Sequence, residues 1–299
     1  MTAEPRDVSE LLQDALGARY ALGPELGRGG MGLVLLARDR TLDREVAVKV
    51  IHPQLATHSA LGERFLAEAR TVARLRHPGI VTVHEAGEAG GLLYFVMDRV
   101  EGETLRERLQ RDGKLPVAAA ARIVADVADA LDAAARAGVV HRDVKPENIL
   151  LEAGTGRALL VDFGVARLTA GENRPESTGP GMAVGTPAYM SPEQATGEDG
   201  VDPRSDVYAL GIVAYEMLAG APPFTGPHRV VVSHHISTRP VPVQRLRPDT
   251  PPPLAQAVMR ALEKAPGDRW QTGREFREAA LGERRVPARV RRGLLASAA

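Results

Sequence analysis

Between two short apolar runs, Val139-Val140 and Ile149 to Leu151, the chain sets out His141, Arg142, Asp143, Lys145, Glu147 and Asn148. Asp143, Lys145 and Asn148 bring a carboxylate, an ammonium and an amide carbonyl close together on a loop displayed from a rigid base. Such a trio can orient a hydroxyl, neutralise phosphate charge and ligate a hard cation. A further carboxylate, Asp162, ends the run Leu159-Leu160-Val161 and precedes Phe163-Gly164, a place where Asp also serves as a plain turn former. Upstream, Gly27-Arg28-Gly29-Gly30-Met31-Gly32 fits G-x-G-x-x-G, whose missing side chains let backbone approach phosphate oxygens. A dinucleotide fingerprint needs a helix directly after these glycines. Leu33-Val34-Leu35-Leu36-Ala37 follows instead, a strand signal, so the glycines read as a hairpin, over phosphates or with no ligand at all.

Strand alternation in Val46-Ala47-Val48-Lys49 puts Ala47 and Lys49 on one face and Val46, Val48 and Val50 on the other. A lysine in such apolar company either snorkels to water or meets a buried carboxylate. Glu68 is the candidate partner. Leu61, Phe65, Glu68, Val72 and Leu75 are spaced by 4, 3, 4 and 3, which sets Glu68 within one apolar helical stripe. Periodicity alone also permits Glu68 at the stripe's edge, in water.

Two compositional regimes must position these groups. From Tyr20 to about Val100 the chain reads strand-rich, with Gly32 to Ala37, Glu45 to Ile51 and Leu92 to Met97 as strands and a helix over Ser59 to Leu75. From Thr104 onward it reads mainly helical. A long Ala-rich helix opens at Leu115-Pro116 and stops at Gly138, and short strands are expected at Val139-Val140, Ile149 to Leu151 and Ala158 to Val161. Thr169 to Gly185 reads as a surface loop, and the proline-rich Pro240 to Pro253 as a connection between C-terminal helices. The fold class is therefore α+β, a small strand-rich lobe hinged near Asp98 to Gly102 to a larger helical lobe.

The 299 residues are 44% hydrophobic and 25% charged, an ordinary globular composition able to bury a real core. Lys plus Arg and Asp plus Glu number 38 each, so no global field draws the chain to nucleic acid or anionic lipid. The absence of cysteine removes disulfides, thiolate nucleophiles and cysteine zinc sites, and fits a cytoplasmic location. The first 20 residues hold no apolar run and do not read as a secretory signal. The apolar stretch Val207 to Ala219, 13 residues carrying Glu216, is too short for a bilayer and reads as a buried helix.

Taken together, these segments resemble the protein kinase superfamily, and specifically the bacterial eukaryotic-like Ser/Thr protein kinases, over about residues 20 to 281. The resemblance implies a bilobal fold: an N-terminal extension at 1–19, an antiparallel-β N-lobe with one main helix at 20–97, a hinge and mostly helical C-lobe at 98–282, and a basic tail at 283–299. Gly27-x-Gly29-x-x-Gly32-x-Val34 looks like the phosphate-covering loop and Val46-Ala47-Val48-Lys49 like the strand carrying the ATP lysine, with Glu68 as its helix partner. His141-Arg142-Asp143 with Asn148 resembles the catalytic loop, and Asp162-Phe163-Gly164 the magnesium-binding motif. Gly185-Thr186-Pro187-Ala188-Tyr189-Met190-Ser191-Pro192-Glu193 resembles the end of the activation segment. It departs from the usual Ala-Pro-Glu by Ser191, a change expected to matter little while Glu193 can pair with Arg269. Asp206 looks like the aspartate that holds the catalytic loop.

The resemblance implies ATP and Mg²⁺, with Mn²⁺ as the alternative ion, and transfer of the γ-phosphate to Ser or Thr of protein substrates. In that scheme Asp143 is the base, Lys145 lies against the γ-phosphate, Lys49 held by Glu68 binds the α- and β-phosphates, Asn148 and Asp162 carry the metal, and Thr186 contacts the Asp143–Lys145 pair. Leu26, Gly27, Gly29, Gly32, Val34, Ala47 and Leu150 enclose the nucleotide, Met97 is the gatekeeper, and the backbones of Asp98 and Val100 face the adenine. Val72, Val83, His141 and Phe163 match the hydrophobic spine. Ser177 and Thr178, then Thr169, are the expected autophosphorylation sites, with Arg142 receiving the phosphate. A nucleotide-binding pseudokinase is the alternative. Expected partners are protein substrates and a transient homodimer through the small lobes, with no nucleic acid, no membrane span, and a weak contact of the basic tail with anionic lipid. His228, His234 and His235 read as helix-surface or packing residues.

Overall fold

The structure, a computed structural model, describes residues 8–29, 32–51, 69–163, 187–197 and 200–283. In the small lobe, α1 (Val8–Leu16) precedes β1 (Tyr20–Gly29), β2 (Gly32–Asp39), β3 (Arg44–Ile51), β4 (Val83–Ala89) and β5 (Leu92–Asp98). The strands form one antiparallel sheet in the order β1-β2-β3-β5-β4. β1 and β2 pair up to Gly29 opposite Gly32, so the glycine-rich segment is a hairpin, with no helix after it. Gly32 is obligatory there: its φ is +150° and a Cβ would fall 1.8 Å from the Val50 carbonyl oxygen.

The alternation in β3 comes out as read. Val46, Val48 and Val50 join Leu33, Leu35 and Val96 on one face, while Ala47 and Ile51 join Phe95 and Met97 on the other, the face that carries Lys49. The first face is covered from within the chain. Leu12 and Leu16 of α1 pack into it, Leu12 at 0% exposure, so the described part of the N-terminal extension belongs to the small-lobe core. Of the helix expected over Ser59 to Leu75 only the end is described. Residues 69–72 are helical with Ala69 and Val72 buried, whereas Glu68 lies outside the described residues.

Besides the hinge after β5, the segment Gly79 to Thr82 stitches the lobes together. Val81 N–H donates to the Leu160 carbonyl at 3.0 Å, Leu160 N–H to that of Gly79 at 2.8 Å, and Asp98 N–H to that of Thr82 at 3.0 Å. The large lobe opens with β6 (Gly102–Thr104), which pairs with β7 (Ile149–Glu152), itself paired with β8 (Ala158–Leu160). A capping box between Thr104 and Glu107 starts α2 (Leu105–Asp112). α3 (Val117–Arg136) ends before Gly138, whose φ is +76°.

Val139-Val140 is not the strand its β-branched pair suggests. Val139 N–H turns back to the Ala134 carbonyl at 2.9 Å, and the pair is the helix exit. Two apolar residues carry no period of their own, so the local pattern leaves strand and helix exit equally open. α4 (Pro192–Thr196) and α5 (Pro203–Ala219) follow, then α6 (His228–Ser237), α7 (Val243–Leu246), α8 (Pro252–Ala261) and α9 (Gly273–Ala280). As expected for an apolar helix without a polar face, α5 is buried continuously from Ser205 to Leu218; α3 and α8 pack on it and α9 closes over both. The proline-rich connection contains α7 and starts α8. Among the described residues no helix is long and apolar enough to cross a membrane.

Candidate active site

The catalytic-loop sequence is held in place by its backbone. Asp206, in the first turn of α5 and one turn inside its N-cap Asp202, accepts His141 N–H on Oδ2 and Arg142 N–H on Oδ1, both at 2.7 Å. Complete burial raises the Asp206 carboxyl, and the nearby imidazole and amides oppose that shift. Arg142 sits at φ +69° and Asp162 at +67°, left-handed conformations that cost a side-chain-bearing residue about 1–3 kcal/mol and that persist where surroundings enforce them. Gln194 Nε2 completes the hold by donating to the Arg142 carbonyl at 2.8 Å.

The backbone of Ser191 orients Gln194. The two form the capping box of α4, Gln194 N–H donating to Ser191 Oγ at 3.4 Å and Ser191 N–H to Gln194 Oε1 at 3.0 Å. The Ser191 hydroxyl thus caps the helix backbone, whereas the side chain that grips the loop is oriented by the Ser191 N–H, a donor alanine would also supply, and Glu193 keeps its pairing with Arg269. The S-x-x-Q spacing was the available signal.

His141 joins the loop to the strand end. Its Nδ1 accepts Asp143 N–H at 3.3 Å, which leaves the proton on Nε2 to bond the Val161 carbonyl at 2.8 Å. Its ring packs 4.5 Å from that of Phe163. With Val72 in the same core and Val83 packed against it, the four spine residues come together.

Around Asp143, Lys145 Nζ donates to Oδ2 at 2.6 Å and Asn148 Nδ2 to the same oxygen at 3.0 Å and to the Asp143 carbonyl at 2.8 Å. Across the cleft, Lys49 Nζ reaches Asp162 Oδ2 at 2.5 Å, the two side chains 7% and 15% exposed. Asp162 is therefore the described partner of Lys49. The expected pairing with Glu68 and the contact of Thr186 fall outside the described residues.

An apolar cleft adjoins these charges. Val34, Ala47, Met97, Val100 and Leu150 share one cluster, from both lobes. Asp98 N–H is already given to Thr82, so only its carbonyl can face a ligand. Leu26 stands apart at 49% exposure. A Cβ at Gly27 or Gly29 would meet nothing within 4 Å, so packing does not require glycine at either position. Between Met97 and Phe163 lies a cavity of about 20 Å³, room for roughly one water.

Glu193 and Arg269 pair as expected, through two 2.8 Å bonds, Arg269 fully buried. A second, partly buried network carries no motif in the sequence. Arg106 of α2 binds Glu147 and Glu216, each at 2.8 Å, and also the Tyr189 hydroxyl, which donates to Glu216 at 2.5 Å. Glu216, the one charge within the apolar run, was its signal.

The sequence matches the protein kinase domain family over residues 20–273. The serine/threonine-protein kinase PknB of Mycolicibacterium smegmatis is 45% identical over 267 residues, 88% of this chain and 42% of that protein. PknA of Mycobacterium tuberculosis is 42% identical over 275 residues, 90% of this chain and 62% of that protein. The chain belongs to the protein kinase family. In three dimensions this kinase superposes on the PknI kinase domain of Mycobacterium tuberculosis with a TM-score of 0.72, at 34% identity, covering 89% of this chain and 97% of that one. It spans less than half the length of PknB.

Protein kinases take ATP with a divalent metal, and the donors of this kinase fit. Asn148 commits its amide nitrogen to Asp143, which leaves its carbonyl oxygen as the atom that could ligate, and Asp162 adds a carboxylate, an all-oxygen pair suited to a hard cation. Among the described residues no group of three or more His, Cys, Asp or Glu gathers to hold a metal unaided. The remaining ligands would come from the nucleotide.

Proposed function

We propose that this kinase transfers the γ-phosphate of ATP to Ser or Thr hydroxyls of protein substrates. One observation carries the reading: Lys49 from the small lobe meets Asp162 from the large lobe beside the loop on which Lys145 and Asn148 converge on Asp143. Phosphoryl transfer asks mainly for positioning and charge neutralisation, and each side chain supplies one part. Both described contacts on the Asp143 carboxylate fall on Oδ2, so Oδ1 is the oxygen to receive the hydroxyl proton. Lys145 neutralises charge on the moving group, and Lys49 that on the other phosphates. Asn148 and Asp162 would hold Mg²⁺, or Mn²⁺ in its place, which supplies further neutralisation of the phosphates. Val34, Ala47 and Leu150 form the walls for adenine beneath Met97, with Gly27, Gly29 and Gly32 over the phosphates. Glu68 and Thr186 keep the roles that the family resemblance implies.

A nucleotide-binding pseudokinase is disfavoured because Lys49, Asp143, Asn148 and Asp162 are all present. Control by autophosphorylation at Ser177 or Thr178, small-lobe pairing and lipid contact of the basic tail complete the proposal; all rest on segments outside the described residues or on partners. Phosphotransfer from Mg²⁺·ATP to the kinase itself and to a basic acceptor protein tests it. Asp143→Asn should cut the rate by about 10³-fold; undiminished transfer would overturn the assignment of the base.

A further inference from the structure

His235 of α6 is 0% exposed and packs beside the Pro187–Tyr189 turn, which directly follows Thr186. Its protonation can be deduced from its neighbours. Lys264 Nζ, purely a donor while charged, bonds the His234 carbonyl at 3.0 Å, the His235 carbonyl at 2.8 Å and Tyr208 Oη at 3.3 Å. Tyr208 Oη, accepting from Lys264, directs its own proton to His235 Nδ1 at 3.0 Å. Burial first, and then the Lys264 charge, push the imidazole down to about 4, so the ring is neutral and carries its proton on Nε2. That Nε2 is buried and has no hydrogen-bond partner among the described residues. Phe224 closes one side of the ring, edge-on at 5.1 Å.

A buried donor left short of full hydrogen-bond geometry is costly, and the acceptors nearest to it belong to the Pro187–Tyr189 turn. The carbonyls of Ala188 and Pro187 already act on the ring. Pro187 accepts Met190 N–H at 3.3 Å, which makes Ala188 the better acceptor. We propose that His235 is a positioning residue for the acceptor substrate: its Nε2–H closes onto the Ala188 carbonyl and fixes the turn after Thr186 when a protein substrate engages. The inference rests on the Ser/Thr kinase reading of the site and adds to it a chain of hydrogen bonds running from Lys264 through Tyr208 and His235 to the turn that follows Thr186.

Steady-state kinetics with histone as acceptor test it. His235→Leu should raise the acceptor KM three- to tenfold, the worth of about one hydrogen bond, with kcat and the KM for ATP unchanged. His235→Gln, whose amide N–H can take the place of Nε2–H, should restore the wild-type KM. In ¹⁵N spectra of the wild type, His235 should show the Nε2–H tautomer. An Nδ1–H tautomer, or a folded Leu variant with unchanged acceptor KM, overturns the inference. Should the Leu variant not fold, Tyr208→Phe decides: a tautomer and acceptor KM unmoved by losing the donor to Nδ1 overturn it equally. Loss of all phosphotransfer in the wild type would instead sink the kinase reading, which separates the two failures.

Discussion

Lys49 Nζ and Asp162 Oδ2 lie 2.5 Å apart, 113 residues distant in sequence and on opposite lobes. The contact brings the cleft's ammonium to the carboxylate that ends the run after β8. Lys49→Met should therefore lower phosphotransfer by about 10²- to 10³-fold, chiefly in kcat, because it removes preorganised positive charge from the transferring phosphates. Lys49→Arg, which can still reach Asp162, should fall between. Nucleotide binding followed by fluorescence alongside the rates separates loss of affinity from loss of chemistry.

Asp206 holds two consecutive backbone amides of the catalytic loop. In Asp206→Ala both N–H groups lose their acceptor, at about 1–3 kcal/mol each if they stay buried. The variant should melt several degrees lower and lose most of its activity, as Arg142 relaxes from its left-handed conformation. A variant with wild-type Tm would contradict the clamp.

Leu12 is fully buried against the outer face of the small-lobe sheet. Leu12→Ala should cost about 2–5 kcal/mol, the range for emptying a core leucine site. Removing residues 1–19 should destabilise the small lobe at least as much, although the family match begins only at residue 20. Thermal denaturation of both forms checks this, and equal melting temperatures would show that α1 merely rests on the surface.

What was legible in the sequence follows from how local each signal is. The faces of β3, the hairpin after Gly29 and the continuous burial of α5 each follow from side-chain period within one element, and each came out as read. Asp143, Asn148 and Asp162 stood out by residue type in a polar loop or at a strand end, and Lys49 as a lysine amid the apolar residues of β3. Val139-Val140 is a helix exit and not the expected strand, because two apolar residues have no period of their own to tell the two apart. The grip of Gln194 on Arg142 and the Arg106–Glu216–Tyr189 network were missed because their partners lie 52, 110 and 83 residues apart, where only the fold brings them together. The capping box of Ser191 and Gln194 was legible too, in the local S-x-x-Q spacing.

Glu193 and Arg269 form a buried bidentate pair. Burial alone would raise the Glu193 carboxyl; Arg269 and the Ser205 hydroxyl more than offset it, and the folded value falls below the ordinary 4.5. As pH drops, the unfolded chain takes up this proton first, so the pair stabilises the fold above about pH 4.5 and its contribution is lost as pH falls through the folded value. Glu193→Gln should cost about 3–5 kcal/mol at pH 7, since it strands a buried guanidinium. It should also flatten the acid limb of the stability curve, which urea titrations between pH 3 and 7 would show.

Lys264 gives a slope of the same sign at the alkaline end. Burial first, and then the Arg269 charge, lower its ammonium from 10.5 to about 8. Between those values the unfolded chain binds the extra proton, so this group makes stability rise with pH, by up to about 1.4 kcal/mol per unit inside the window. Urea denaturation at about pH 7.5, 8.5 and 9.5 should show the wild type gaining on Lys264→Met as the buffer becomes more alkaline. The variant lacks the titrating group and keeps whatever slope the other residues impose, so the difference between the two curves isolates Lys264. Curves that run parallel would mean that the ammonium keeps its ordinary basicity despite its place among Tyr208, Phe224 and the end of α6.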